Sequence, residues 1–371
     1  GKLVYLNEDI DKPVALAAAL CPETALRSDL GWRKVWLAGD VLNEITLPRV
    51  KESALGPEVL HRVKKRLAGL LETGALTPVE RAAAGAALGK LGDPRPGVGV
   101  SSKGWPDIEW IEIPSGPFVM GSETDVVSWS KETPQFRCEL ITRPYRISRY
   151  PVTVAQFDCF VAARGYEEEK YWTKAGWDWR QRSRATRPEN YQEVYQTRNH
   201  PRVGVSWYEA LAYCLWLSQQ LGFMITLPSE AEWERAARHT DGRTFPWGNE
   251  DEAPQRCNMA DTGIGHTSAV GLFPSGNAVC GASDMGGNVW EWTRSLWGKD
   301  WEKPAFGYPY QPQDGRENLE APIEVRRVLR GGSWSSGRGD VRCAYRNGFD
   351  PGNRNGDFGF RVVASPFVSG R

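Results

Sequence analysis

Seventeen tryptophans and 39 glycines in 371 residues restrict the folds open to this chain, and both are concentrated beyond residue 100. Large aromatic anchors joined by conformationally free residues predict a loop-rich architecture, pinned by buried rings rather than by long helices. A hydrophobic fraction of 40% and a charged fraction of 25% are those of an ordinary globular protein. The length suits two domains, or one with an appendage. With 46 basic and 46 acidic residues, nothing global draws the chain to nucleic acid or an anionic membrane. No apolar run is long enough for a membrane span and no signal peptide opens the chain, so a cytoplasmic location is expected. Cys21, Cys138, Cys159, Cys214, Cys257, Cys280 and Cys343 are odd in number and lack CxxC spacing. Reduced thiols packed as small hydrophobes suit that pattern better than a zinc site or a disulfide framework.

The first part of the chain reads as helical. Val59, Val63, Leu67, Leu70 and Leu71 recur at helical spacing. A further helix is expected after Thr77-Pro78, an N-cap followed by proline at the first helical position, and it should stop at Gly92. The segment resembles HEAT-like helical repeats, with a plain helical cap on the next domain as the alternative. Asp93-Pro94-Arg95-Pro96-Gly97 then forbids a helix and marks a linker. We therefore expect a helical region over 1–97 and a second domain over 98–371. Within the latter, helices are expected from Thr153, from Ser206 with Glu209 completing a capping box, and from Ser229 to Arg238. Gly359-Phe360-Arg361-Val362-Val363 reads as a final strand.

Seven segments then occur in order: IPSGPFVMGS, YRISRYPVTVAQFDCFV, HPRVGVSWYEALAYCLWLSQQLGFMITLPSEAEWERAAR, FPWGN, DMGGNVWEWT, VLRGGSW and FGFRVV. Together they resemble the formylglycine-generating-enzyme (sulfatase-modifying-factor) family over about residues 105–365. The resemblance implies an α+β, C-type-lectin-like domain. In Trp290-Glu291-Trp292, strand alternation sends both rings to one face and the carboxylate to the other. The resemblance implies a calcium site here at Asp284, Gly287, Val289 and Glu291, with ion pairing of Glu291 to an arginine as the alternative. A second site would fall at Asn258 and Met259, with Asp261 nearby. The family's oxidase chemistry uses two thiols that bind copper, as soft thiolates do. Their places here hold Ser336 and Val341, so neither copper nor formylglycine synthesis is expected. The related non-haem-iron sulfoxide synthases use a histidine cluster. His61, His200, His239 and His266 show no such motif, and His200 before Pro201 reads as a loop or core residue.

Segment 330–363 carries a second resemblance, to the variable region of proteins diversified by retroelements. Its framework would be Arg330 to Trp334, Arg342, Ala344, Arg346, Pro351, Asn353, Arg354 and Gly359 to Arg361. Ser335, Ser336, Gly337, Gly339, Asp340, Tyr345, Asn347, Phe349, Asp350, Gly356 and Asp357 are all types that an AAY codon reaches by changing its adenines. Lys, Glu, Gln, Met and Trp are unreachable that way and absent from those positions. With Trp334, Arg338 and Phe358 they form the expected binding face, in which aromatic anchors sit among small polar residues as in antibody paratopes. The alternative is an ordinary Gly- and Asn-rich loop closing the fold. The expected role is recognition without catalysis, with a protein as ligand; a divergent metal oxidase is the competing reading. The insert 165–200 interleaves arginine with Tyr191, Tyr195 and several tryptophans. It is read as a loop buttressing the face through cation–π packing, rather than as a nucleic-acid surface.

Overall fold

Helix starts follow from local capping. Thr77, Thr153, Ser206 and Ser229 each accept the N–H three residues on, and Glu80, Gln156, Glu209 and Glu232 return to the cap's own N–H. The computed structural model describes residues 9–24, 28–123, 130–250 and 252–364. Among the described residues five helices come first: α1 (Asp11–Leu20), α2 (Asp29–Ile45), α3 (Leu47–Val50), α4 (Gly56–Thr73) and α5 (Pro78–Leu91). The apolar spacing read in α4 is its buried face, and Gly74 ends that helix in the left-handed conformation. Val14, Val35, Leu42, Val63, Leu67, Leu71 and Leu88 form one core. Ile264, Ala269, Leu272 and Phe273 enter the same core from far along the chain, so the helices are fastened to the larger C-terminal region.

Beyond Leu91 the chain builds short strands. β1 (Trp110–Ile113), β4 (Tyr145–Ser148) and β9 (Val363–Ala364) form an antiparallel sheet, and β2 (Phe118–Met120) pairs with β3 (Phe136–Cys138). A four-stranded sheet runs in the order β7 (Arg346–Phe349), β6 (Arg326–Arg330), β5 (Trp290–Gly298), β8 (Phe358–Gly359), and only the β5–β8 pair is parallel. The helices α6 (Val154–Ala162), α7 (Lys174–Ser183), α8 (Trp207–Leu221), α9 (Glu230–Arg238) and α10 (Ala253–Arg256) lie between strands. This is the α+β, loop-rich organisation expected. Two details differ. The expected last strand is two short ones, β8 on the central sheet and β9 on the outer sheet, because the chain crosses between sheets at Phe360 to Val362. The 165–200 insert contains α7, capped by Thr173.

The tryptophans work as predicted. Trp207, Trp233, Trp292 and Trp297 are fully buried. Each indole N–H finds an acceptor: Thr293 O at 2.8 Å, Glu291 Oε2 at 2.7 Å, Val205 O at 3.2 Å and Asp300 O at 3.1 Å, in that order. Burying a ring this way keeps its apolar gain without leaving an unpaired donor. All seven cysteines are free of disulfides.

Helix α9 departs from ordinary patterning, since every one of its residues is buried, Glu230, Glu232 and Glu234 included. Those carboxylates meet arginines from the sheet. Arg330 Nη1 and Nη2 lie 2.9 Å and 2.6 Å from Glu230 and Glu234, and Arg346 forks onto both oxygens of Glu230 at 2.7 Å. Removing one member leaves buried charge uncompensated, which costs about 3–5 kcal/mol. Arg330→Met is therefore expected to lower unfolding stability by about that amount in a urea titration. Arg137→Met, breaking an exposed pair with Glu139, should change it by less than about 1 kcal/mol. Equal effects from the two substitutions would contradict this assignment.

Candidate functional site

The site begins where β6 ends. Gly331 and Gly332 both have positive φ, 92° and 70°. A Cβ on Gly331 would sit 3.1 Å from the Trp233 ring, and one on Gly332 would sit 3.0 Å from Val341. Glycine alone fits this reversal, and it throws the following residues outward. Ser335, Gly337, Arg338 and Gly339 are exposed, while Trp334 and Asp340 are half-buried. On β7 the strand alternation is plain: Arg346 and Gly348 face inward, and Asn347 and Phe349 are half-exposed, with Tyr345 preceding them. Gly348 lies directly on the Trp297 ring, where a Cβ would approach to 2.4 Å. Asp350, Gly356 and Asp357 complete the half-exposed set.

Two expected members do not face solvent. Ser336 is buried, its hydroxyl accepting the Ser333 N–H at 3.0 Å. Phe358 is buried between Trp292 and Phe349, with ring centroids 5.4 Å and 4.9 Å away, because it belongs to β8 of the central sheet. Both are frame residues.

The remaining side chains are held by specific partners. Ser333 and Ser335 hydroxyls donate to Asp357 Oδ2 at 3.0 Å and 3.2 Å. Burial raises the Asp357 carboxyl above its ordinary range, and these hydrogen bonds partly oppose the shift. The Tyr345 ring lies 5.9 Å from Trp290 and 5.7 Å from the Arg342 guanidinium; burial and then Asp340 push its hydroxyl up. Asn347 Oδ1 accepts the Trp301 indole N–H at 2.9 Å, and Asp350 pairs with Arg326 at 3.5 Å.

The insert divides its tasks. Trp172 and Trp179 are buried and stacked 6.4 Å apart, with Arg354 over Trp179, as a buttress should be. Tyr191 and Tyr195 instead reach the face. Tyr195 lies 6.2 Å from Trp334 and 6.5 Å from His266, and the Tyr191 hydroxyl donates to Arg354 O at 2.7 Å. His266 is a member that sequence reasoning missed. No local pattern links it to a tyrosine about 70 positions earlier.

The metal candidates fit poorly. Glu291 Oε1 and Oε2 accept from Arg361 Nη2 and Nε at 2.7 Å and 2.6 Å, and Oε2 also takes the Trp233 N–H. The arginine-pairing alternative thus describes Glu291, and its oxygens are engaged. Asp284 Oδ2 accepts the Gly271 N–H, the Gly287 carbonyl accepts the Val289 N–H, and Val289 itself packs against Gly359. At the second candidate, Asn258 Oδ1 and the Met259 carbonyl both accept the Thr262 hydroxyl, and Asp261 is exposed. Among the described residues no three His, Cys, Asp or Glu side chains converge as a metal site. At the two copper positions, Ser336 is engaged with Ser333, and Val341 packs with Phe245, Cys257 and Met259. Cys343 is buried, with its thiol pushed up to about 12 by burial.

Two buried groups give opposite pH signatures. Burial raises Asp284 to about 6, so the folded state holds more protons than the unfolded one above pH 4, and stability falls as pH rises through that window. Burial lowers His200, whose Nδ1 lies 3.1 Å from the Thr267 hydroxyl, to about 3. Its contribution is complete above about pH 6.5 and is lost as pH falls towards 3. In metal-free buffer, Asp284→Asn should flatten the fall in stability between about pH 4 and 6, and His200→Asn should lessen the loss between about pH 6.5 and 3. Melting temperatures across pH 3–8 check both, and parallel profiles for both variants and wild type would refute the assignment.

Residues 102–366 match the family described as sulfatase-modifying factor enzyme 1-like domain. Hercynine oxygenase of Mycobacterium tuberculosis is 30% identical over 244 residues, covering 59% of this chain and 52% of that protein. The formylglycine-generating enzyme of Thermomonospora curvata is 33% identical over 306 residues, covering 69% and 93%. Among solved structures, Treponema denticola variable protein 1 shares the fold, with a TM-score of 0.50 at 22% identity over 69% of this chain and 95% of that one. The chain spans between half and two-thirds of the length of the hercynine oxygenases it matches. No helix among the described residues is long and apolar enough to cross a membrane.

These relatives overturn the expectation that the chain is not an enzyme, since curated proteins at 30% and 33% identity carry the names of enzymes. The missing thiol pair removes one chemistry from two positions, and a fold that hosts several activities does not lose all of them with one pair. With residues 102–366 matched throughout, the chain belongs to the sulfatase-modifying factor enzyme 1-like family.

Proposed function

We propose that the face running from Trp334 to Asp357, joined by Tyr191 and Tyr195, binds a ligand, and that the ligand is a protein. One directional observation carries this reading. Arg330, Arg346 and Arg361 are buried on carboxylates of the core and Arg354 bonds Glu209, whereas Ser335, Gly337, Arg338, Gly339, Tyr345, Asn347 and Asp357 reach solvent from the same segment. A rigid inward frame lowers the ordering cost of presenting outward side chains. Trp334, Tyr345 and Tyr195 supply broad contact area with little rotamer entropy, and the small polar neighbours supply adaptable hydrogen bonds. The reading concerns binding and holds whether or not the same face turns a substrate over.

The outward residues further read as a diversified set. Apart from the framework residue Trp334, their types are those an AAY codon reaches, and the two residues found buried, Ser336 and Phe358, stand outside the contact set. The DNA beside the gene tests this. A near-copy of codons 335–357 with adenines at the outward positions, next to a reverse transcriptase gene, is expected. No such copy, with the same residues kept in chromosomal relatives, would refute diversification.

Binding capacity has its own test. A library randomised at Ser335, Gly339, Asp340, Tyr345, Asn347 and Asp357, selected against unrelated proteins, should yield specific binders with Kd near or below about 1 μM. In such binders Trp334→Ala should weaken binding by about 2 kcal/mol or more, roughly 30-fold. Folded libraries that yield no binder would count against the proposal.

A further inference from the structure

Helix α5 carries two glycines one turn apart, Gly85 and Gly89, both buried. A Cβ on Gly89 would lie 2.3 Å from Asn199 Oδ1 and 2.8 Å from Thr197 Cγ2. One on Gly85 would lie 2.9 Å from the Ala269 Cβ. Two loops therefore rest on a strip of helix that has no side chains of its own. Specific bonds hold them there. Asn199 Nδ2 donates to Gly85 O at 3.0 Å and to Asp93 Oδ2 at 2.9 Å, and Arg81 Nη1 donates to Leu272 O at 2.9 Å. Asp93 is fixed in turn by buried Arg95 at 2.7 Å. The loops are also tied to each other, since the Val270 N–H donates to Asn199 O at 2.9 Å.

These are the loops that carry the aromatic wall of the face. Tyr191 and Tyr195 lie just before the seated turn at 197–199, and His266 lies just before the seated loop at 269–272. Tyr195 stands beside Trp334, and His266 beside Tyr195, at the distances given above. The turn also caps α6, because the N–H groups of Val154 and Ala155 donate to His200 O and Arg198 O at 2.9 Å and 3.0 Å.

We propose that α5 is a positioning element for the binding face: the Gly85–Gly89 strip sets the height of the 197–199 and 269–272 loops, and so sets where Tyr195, with His266 against it, stands relative to Trp334. The helical region then has a defined task, that of a strut beneath one wall of the site. Its bearing on ligand affinity rests on the proposed function, but the geometry does not.

Peptide-resolved hydrogen exchange on the full chain tests this without any ligand. Gly89→Ala should speed exchange over 191–200 and 266–272 by about tenfold or more, while 290–298 and 343–349 keep wild-type rates. Asn199→Ala removes the amide bonds without adding bulk, so it should act on the same two segments and keeps the test alive if Gly89→Ala fails to fold. Gly69→Ala, whose new methyl meets nothing closer than 3.9 Å, is the control and should leave both segments unchanged. Unchanged exchange at 191–200 in the folded variants, or an increase spread evenly over the chain, would overturn the strut. Because no ligand is used, a failure of the binding proposal leaves this result intact, and the reverse is also true.

Discussion

The placement of Arg330 governs the rest of the structure. It lies fully buried between Glu230 and Glu234 of one helix and donates to the carbonyls of Cys343 and Ala344 on the segment leading into β7. One guanidinium thereby locks helix, central sheet and site loop together. Arg346 repeats the device from β7, sandwiched by the Trp297 and Tyr308 rings at 4.9 Å and 4.6 Å. Buried ion pairs contribute less net stability than their distances suggest, because desolvation offsets much of the attraction. What they supply here is uniqueness: Glu230, shared by two arginines, permits one register of β7 and one path for the chain beyond it.

That geometry lets a glycine-rich segment remain in one conformation. Ser335 to Gly339 would lose much chain entropy on ordering if nothing held their ends. Arg330 fixes the entry, Arg346 the middle, and Arg354 and Arg361 the exit, each on a carboxylate of the core. The outward side chains take no part in these pairs. A surface organised this way tolerates substitution at the positions that would contact a partner, and the same arrangement suits a family whose members carry different named activities on one frame.

Legibility in the sequence depends on distance along the chain. The capping box of Ser206 and the helix starts at Thr77 and Ser229 are legible because their signals lie within three residues. The opposed faces of Trp290 and Glu291 are legible from strand periodicity. The family resemblance implies calcium at Glu291, and the arginine of the alternative could not be named, because Arg361 is 70 positions away and nothing local points to it. Nothing local pairs the carboxylates of α9, and only the fold brings Arg294, Arg330 and Arg346 to them. Ser336 and Phe358 read as outward because an irregular segment has no period from which burial can be inferred. Tyr195 meets Trp334, and His266 meets Tyr195, only because the fold brings distant loops together.

Buried arginine–carboxylate pairs set the frame, which is indifferent to the side chains it presents. The decisive measurement is a crystal structure of a variant changed together at Ser335, Gly339, Tyr345, Asn347 and Asp357. In it Arg330, Arg346 and Arg361 should keep their carboxylate partners, and the backbone from 330 to 361 should superpose to within about 1 Å, the range usual for a preorganised interface. A backbone displaced by more than about 2 Å, or any of those three pairs broken, would contradict it.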